Sequence, residues 1–172
     1  RKTYYDYPRA YKMIDELQPQ AVIFSDGGPG CRWVGNENGF AGATKWSFLR
    51  AGEVYPGYPK YRELQYGHAD GNQWVAAECD VSIRPGWFYH PEEDDKVKTV
   101  DQLTDLYYRS VGHNATLLLN FPVDRNGLIH PTDSLNAVSF HQRVQKELAD
   151  NLLSSAKVSA SDERGGQFKV RG

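Results

Sequence analysis

The sequence predicts an α/β protein: the later part of a (β/α)8-like barrel, followed at its end by the opening of an all-β domain. Three observations carry this. Strand-sized apolar runs occur at Ala21–Phe24, Trp74–Ile83 and Ala115–Phe121. Amphipathic helical patterns follow the second and third, and strand–helix–strand–helix spacing implies right-handed βαβ units on a parallel sheet. Three parallel strands with open edges make a poor free-standing domain. A whole eightfold barrel takes about 250 residues, whereas this chain has 172.

In order along the chain, Tyr4–Leu17 reads as a helix from about Arg9, with Tyr11, Ile14 and Leu17 at spacings of three and Pro19 as its stop. Ala21–Phe24 is continuous and apolar, the pattern of a strand buried on both faces. It stops at Ser25-Asp26-Gly27-Gly28-Pro29-Gly30, a loop by composition, and the Gly, Pro, Tyr and Trp-rich stretch to Gly71 has no sustained period. A loop of that length in a compact domain is usually functional. In Trp74–Ile83, Val75, Ala77, Cys79, Val81 and Ile83 alternate with Glu78, Asp80 and Ser82. Thr99–Val111 reads as a helix with Thr99 and Gln102 as a capping box and Leu103, Leu106, Tyr107 and Val111 as its apolar stripe. After the strand Ala115–Phe121 and a turn over Pro122–Gly127, Thr132–Asn151 reads as a second amphipathic helix. Past Asn151 the composition turns small and polar, with weak strand patterns at Lys157–Ala160 and Gln167–Val170. The expected division is therefore a barrel portion over residues 1–150, and a linker with the first strands of a second domain over 151–172.

Composition narrows the function. Twenty Lys and Arg oppose 22 Asp and Glu, which argues against a nucleic-acid surface. No run approaches the roughly 20 apolar residues that span a bilayer. Two cysteines, Cys31 and Cys79, are too few for a disulfide scaffold. No His, Cys or Asp grouping has metal-ligand spacing, and no cofactor is expected. Residue 1 is Arg, so a processed chain or a piece of a longer one is expected. Aromatic residues make up 13% of the chain, enough to line a sugar-binding cleft as well as to pack a core.

In parallel α/β proteins reactive groups gather at the carboxyl ends of strands. Those ends here offer Asp26 and the segment Cys31–Glu37, then Glu78, Asp80, Arg84 and Trp87, then Asn120. Carboxylates and arginines suit hydroxyl groups, and tryptophans suit the apolar face of a sugar ring; the same pairs also serve to tie loops down.

The strings FSDGGPGCRWVGNENGFAGATKWS, WVAAECDVSIRPGWFYH and DLYYRSVGHNATLLLNFPVDRNGLIHPTD resemble successive blocks of the α-L-fucosidases of glycoside hydrolase family 29, closest to the branch acting on α-1,3/1,4-linked fucose. The resemblance runs from about Tyr4 to Leu148. It implies a (β/α)8-like barrel followed by a β-sandwich, and a retaining mechanism in which one carboxylate attacks and a second acts as acid and then base. It implies Glu37 as the general acid/base. Such a donor works best in a partly dehydrated aromatic setting, and Trp33 and Phe40 are the neighbours able to supply one.

The resemblance further implies Arg32 and Arg84 as fucose or subsite contacts and Trp87 as the ring packing on the C5 methyl of fucose. Trp33 and Asp80 are expected at the substrate, as is His68 from the Gly-rich loop. Glu78 is the rival for the acid role, or a hydroxyl or arginine partner. Arg32 and Arg84 have an alternative as structural partners of Asp26, Asp80 or Glu78. Two departures stand out. Gly30 replaces an Asp usual after the Gly-Pro, and no Trp-x-Asp-Gly segment bearing the nucleophile occurs in residues 1–20. The nucleophile is accordingly expected upstream of Arg1, the rest of the same polypeptide is expected to complete the barrel, and the ligand is expected to be a fucosylated oligosaccharide or glycoconjugate met outside the cytoplasm, periplasmic or secreted. A glycan-binding protein without catalysis, or an inactive fragment, is the alternative.

Overall fold

The computed structural model describes residues 4–157 and 159. Its frame is a four-stranded parallel sheet built from β1 (Phe24–Ser25), β2 (Cys31–Trp33), β5 (Ala76–Ser82) and β6 (Ala115–Asn120), in the order β1-β2-β5-β6. Between β2 and β5 the chain makes a small antiparallel pair, β3 (Phe48–Leu49) with β4 (Gln73–Trp74), and a short helix α2 (Tyr61–Tyr66). Helix α1 (Tyr7–Leu17) precedes β1, α3 (Val100–Ser110) joins β5 to β6, and α4 (Pro131–Glu147) follows β6. None of these helices is long and apolar enough to cross a membrane.

The register sorts side chains onto two faces, because paired residues of a parallel sheet share a side. Ala77, Cys79, Val81 and Ile83 of β5 point to one face, where Val81 and Ile83 pack with Leu103 and Leu106 of α3 and with Val97. Each such fully buried aliphatic side chain contributes about 1.5–3 kcal/mol. Ala77 and Cys79 pack with Val34 and Ala41. The opposite face gathers Phe24, Cys31, Trp33, Glu78, Asp80, Ser82, Leu118 and Asn120. No helix covers this face among the described residues, and Phe24 is 53% and Leu118 50% exposed.

Local chemistry explains most boundaries. Asp6 accepts from the Arg9 N–H and starts α1 at Tyr7, two residues ahead of the expected Arg9. Thr99 and Gln102 close the anticipated capping box of α3. His130 caps α4, which ends at Glu147, short of Asn151.

Three readings are corrected. The sheet has four parallel strands, not three, since Cys31–Trp33 lies within the expected loop. The run Ala21–Phe24 is a strand only from Phe24 and is not buried on both faces: Val22 and Phe24 are exposed on the uncovered side. The stretch from 26 to 71 is not a single loop, because β2, β3 and α2 order it. The strand pattern at Gln167–Val170, and all but Lys157 and Ser159 of the one at Lys157–Ala160, lie outside the described residues.

Candidate active site

Glu37 sits in the turn that follows β2, and the string Gly35-Asn36-Glu37-Asn38-Gly39 shows why it is held there. The Asn36 side chain accepts from the Asn38 N–H at 3.0 Å and donates to the Phe40 carbonyl at 3.1 Å. Gly35 has φ 81°, and a Cβ there would meet the Tyr61 carbonyl oxygen at 2.5 Å, so only glycine fits. The turn leaves Glu37 exposed at the carboxyl end of the sheet, where its Oε2 accepts a hydrogen bond from the Trp87 indole N–H at 3.0 Å. Trp87 comes from the segment after β5, and its carbonyl accepts from Asn120 Nδ2 of β6 at 3.1 Å. Three strand ends thus meet at one ring.

Two hollows share Trp87 as a wall. One, about 330 Å³, is lined by Glu37, Ser82, Arg84, Trp87 and Lys98 among others. The second, about 430 Å³, lies over the uncovered sheet face and is lined by Phe24, Cys31, Glu78, Asp80, Trp87 and Leu118 among others. Polar groups therefore stand on one side of the indole, and two carboxyls among apolar surface on the other.

Those two carboxyls have unusual surroundings. Glu78 is 5% exposed, and neither of its oxygens has a hydrogen-bond partner among the described residues. Burial, followed by repulsion from Asp80, pushes its pKa up to about 7. Glu78 projects opposite to Cys79, as alternation requires, and it braces no arginine. Asp80 accepts from the Trp33 indole N–H at 2.8 Å; burial raises its pKa, and that bond opposes the rise. Trp33 packs edge-on to Tyr61 at 5.4 Å, so it belongs to the wall behind Asp80. Phe40, the other ring expected near Glu37, lies under the Arg109 guanidinium at 4.2 Å.

Three expected substrate contacts are placed elsewhere. Arg32 points to the helix-covered face and is wholly buried. Its guanidinium donates to the carbonyls of Leu64 (3.1 Å), Val75 (2.5 Å), Trp46 (2.7 Å) and Ser47 (3.4 Å). Those carbonyls belong to the irregular stretch between β2 and β5, whose backbone acceptors need partners once buried. Burial lowers its pKa to about 10, which leaves it charged at neutral pH. Arg84 is 1% exposed and grips Asp133 of α4 with two parallel bonds of 2.8 Å each. It also lies 2.9 Å from Asp94 and 4.6 Å from the centre of the Tyr89 ring. Its partners are thus Asp133 and Asp94, none of the three carboxylates anticipated. His68 is buried as well: its Nδ1 accepts from the Arg50 N–H, which leaves Nε2–H to donate to Glu63 at 3.1 Å. All three are braces, because their donors are already engaged inside the protein.

One functional neighbour escapes the sequence reading. Lys98 Nζ donates to the Ser82 carbonyl at 2.6 Å and lines the hollow beside Glu37. Within PEEDDKVK nothing distinguishes this lysine from a solvated one.

No protein-family model matches the chain. It is 43% identical over 168 residues to α-L-fucosidase 1 of Arabidopsis thaliana, a match over 95% of this chain and 32% of that protein. A glycoside hydrolase 29 family member from an unknown rumen bacterium superposes with a TM-score of 0.84 at 44% identity, over 95% of this chain and 29% of that one. Its named relatives are α-L-fucosidases of glycoside hydrolase family 29. A crystal structure described as a putative α-L-fucosidase from Bacteroides thetaiotaomicron gives a TM-score of 0.81 at 46% identity, over 93% and 36% of the two chains. A family 29 fucosidase of Ruminococcus gnavus, solved in complex with fucose, gives 0.74 at 29%, over 88% and 32%. The chain thus spans about a third of the length of the fucosidases it matches. Within that third the fucosidase likeness includes the parallel sheet and the three strand ends that meet at Trp87.

Proposed function

We propose that the chain is the section of a retaining exo-α-L-fucosidase that supplies its proton donor, Glu37, and one wall of its fucose pocket, and that the enzyme removes terminal α-1,3/1,4-linked fucose from oligosaccharides or glycoconjugates outside the cytoplasm. The observation that carries this reading is the Trp87 indole N–H on Glu37 Oε2. It sets a solvent-reachable carboxyl against an aromatic face at the carboxyl end of a parallel sheet, where enzymes of this class hold their chemistry.

The chemistry follows from that placement. Glu37 delivers a proton to the glycosidic oxygen as the bond to the anomeric carbon breaks, and the attacking carboxylate forms a glycosyl ester. Glu37 then takes a proton from the water that releases fucose. The attacking Asp is assigned to a strand beside β1, upstream of Arg1; β1 is the edge of the sheet, and further strands of a barrel and a following β-sandwich would belong to the same polypeptide. The Trp87 ring packs on the C5 methyl of the sugar. Glu78, with a pKa near 7, is poised to donate a hydrogen bond to a sugar hydroxyl, and Asp80 to accept one.

A second reading gives the acid role to Glu78, on the strength of that raised pKa and its missing partner. Substitution in the full-length protein separates the two. Glu37→Gln is expected to slow release of fucose from natural glycans by about 10²–10⁴-fold, with a smaller loss for substrates whose leaving group needs no proton. With Glu37→Ala, azide is expected to restore turnover and give the product of retained configuration. Near-normal glycan turnover by Glu37→Gln, or an inverted azide product, would overturn the assignment; the first result together with a dead Glu78→Gln would transfer the role to Glu78.

A further inference from the structure

A larger cavity, about 600 Å³, opens beside the Glu37 hollow at the same end of the sheet. Its lining comes from two segments only, residues 88–92 after β5 and 123–126 after β6. The first continues directly from Trp87, and the Asn120 bond to the Trp87 carbonyl ties the two segments together. A cavity of this size accommodates a small ligand.

The walls are held in place from behind. Tyr89 lies against the buried Arg84 guanidinium at 4.6 Å, and its hydroxyl donates to Asp94 at 3.4 Å. Asp124 Oδ1 accepts from the N–H groups of Asn126 (2.8 Å) and Leu128 (2.9 Å), a turn that fixes Arg125 and Asn126 at the rim. Across from them Phe88 is 78% exposed. A single exposed ring needs no explanation by itself. Here it stands over a formed cavity whose other lining groups, His90, Glu92, Arg125 and Asn126, offer both donors and acceptors with no excess of one charge. A flat apolar surface facing mixed polar groups matches a neutral, hydroxyl-rich ring, and the balanced charge disfavours an anion.

We propose that this cavity is a separate subsite for the saccharide that carries the fucose: Phe88 stacks on a ring of that saccharide, and Arg125 and Asn126 bind its hydroxyls. The proposal rests on the fucosidase reading and adds the part of the substrate that the Glu37 and Trp87 hollows do not address.

The test compares two substrates in the full-length protein. In α-L-fucosyl fluoride the leaving group contains no sugar, so it reports on the fucose pocket alone; a fucosylated oligosaccharide engages both sites. Phe88→Ala and Arg125→Ala, both at the surface, are expected to lower kcat/KM for the oligosaccharide by about tenfold, mainly through KM, and to leave the fluoride within twofold. Calorimetric titration with the defucosylated disaccharide galactosyl-N-acetylglucosamine is expected to show binding that Phe88→Ala weakens by a similar factor. Equal losses on both substrates, no loss on either, or disaccharide binding indifferent to Phe88 would overturn the subsite. If the unsubstituted protein cleaves neither substrate, the fucosidase reading fails instead, and the disaccharide titration still decides the subsite by itself.

Discussion

The two glutamates on either side of Trp87 are an instructive pair. Glu37 is exposed, sits on a turn built by Asn36 and two glycines, and accepts a hydrogen bond from the indole. Glu78 is buried in the middle of β5, has no hydrogen-bond partner among the described residues, and holds its proton up to about pH 7. One carboxyl is oriented and open to a leaving group; the other is kept partly neutral on a dehydrated wall. A retaining glycosidase needs an acid that can reach the glycosidic oxygen and then activate water, and reach favours Glu37. A raised pKa alone marks Glu78 as perturbed without placing it at the bond that breaks.

The contrast depends on Trp87 staying between the two, so the largest effect is expected from releasing the segment that carries it. Arg84 and Asp133 anchor that segment to the first turn of α4 with both charges buried. Removing one partner of a buried pair leaves the other charge uncompensated, which typically costs about 3–5 kcal/mol. Asp133→Ala should therefore lower the denaturant midpoint steeply, and any folded fraction should lose fucose release together with the Glu37–Trp87 contact. A variant as stable as the parent would show that the pair does not hold the site. Asp133→Asn keeps the shape but not the charge, and is expected to fall between the two.

This anchor also marks where the sequence stops being informative. The frame of β5, α3 and β6 was legible, because alternation at Val75–Ile83, the Thr99–Gln102 box and the run at Ala115–Phe121 are local signals. The strand β2 was not: three residues, one of them arginine, have no period. Arg32 and Arg84 looked like ligand-binding groups because their partners lie far off in the chain, carbonyls 14 to 43 residues away for Arg32 and Asp133 49 residues away for Arg84. A charge at a strand end has the same appearance in sequence whether it faces a cleft or a bed of carbonyls. Glu37 was found through the string around it, and neither periodicity nor composition would have singled it out.

Glu78 gives the next effect in size and sharpens the pair by pH. Its folded pKa of about 7 lies above the ordinary 4.5, so between those values the folded state binds more protons than the unfolded one. Stability from this group is therefore greatest below about pH 4.5 and falls as pH rises to about 7, after which the loss is constant. Glu78→Gln cannot ionise and should remove that decline, making the protein about 2–3 kcal/mol more stable relative to the parent at pH 8 than at pH 4.5. Melting curves of parent and variant at the two pH values check this. An unchanged difference would mean that Glu78 ionises normally and that the two carboxyls are less distinct than their surroundings suggest.

The smallest effect is the most specific. Trp87→Phe keeps an aromatic face for the sugar and deletes only the N–H that Glu37 accepts. An exposed hydrogen bond to a carboxyl contributes about 1 kcal/mol, so glycan turnover should fall roughly fivefold while KM stays near the parent value. The fall should appear in kcat, because the indole positions the proton donor and the ring that binds fucose is retained. Fucosyl fluoride, whose departure needs little protonation, should be hydrolysed at close to the parent rate. If Glu78 were the donor, the N–H would have no part in proton transfer, and Trp87→Phe would treat both substrates alike.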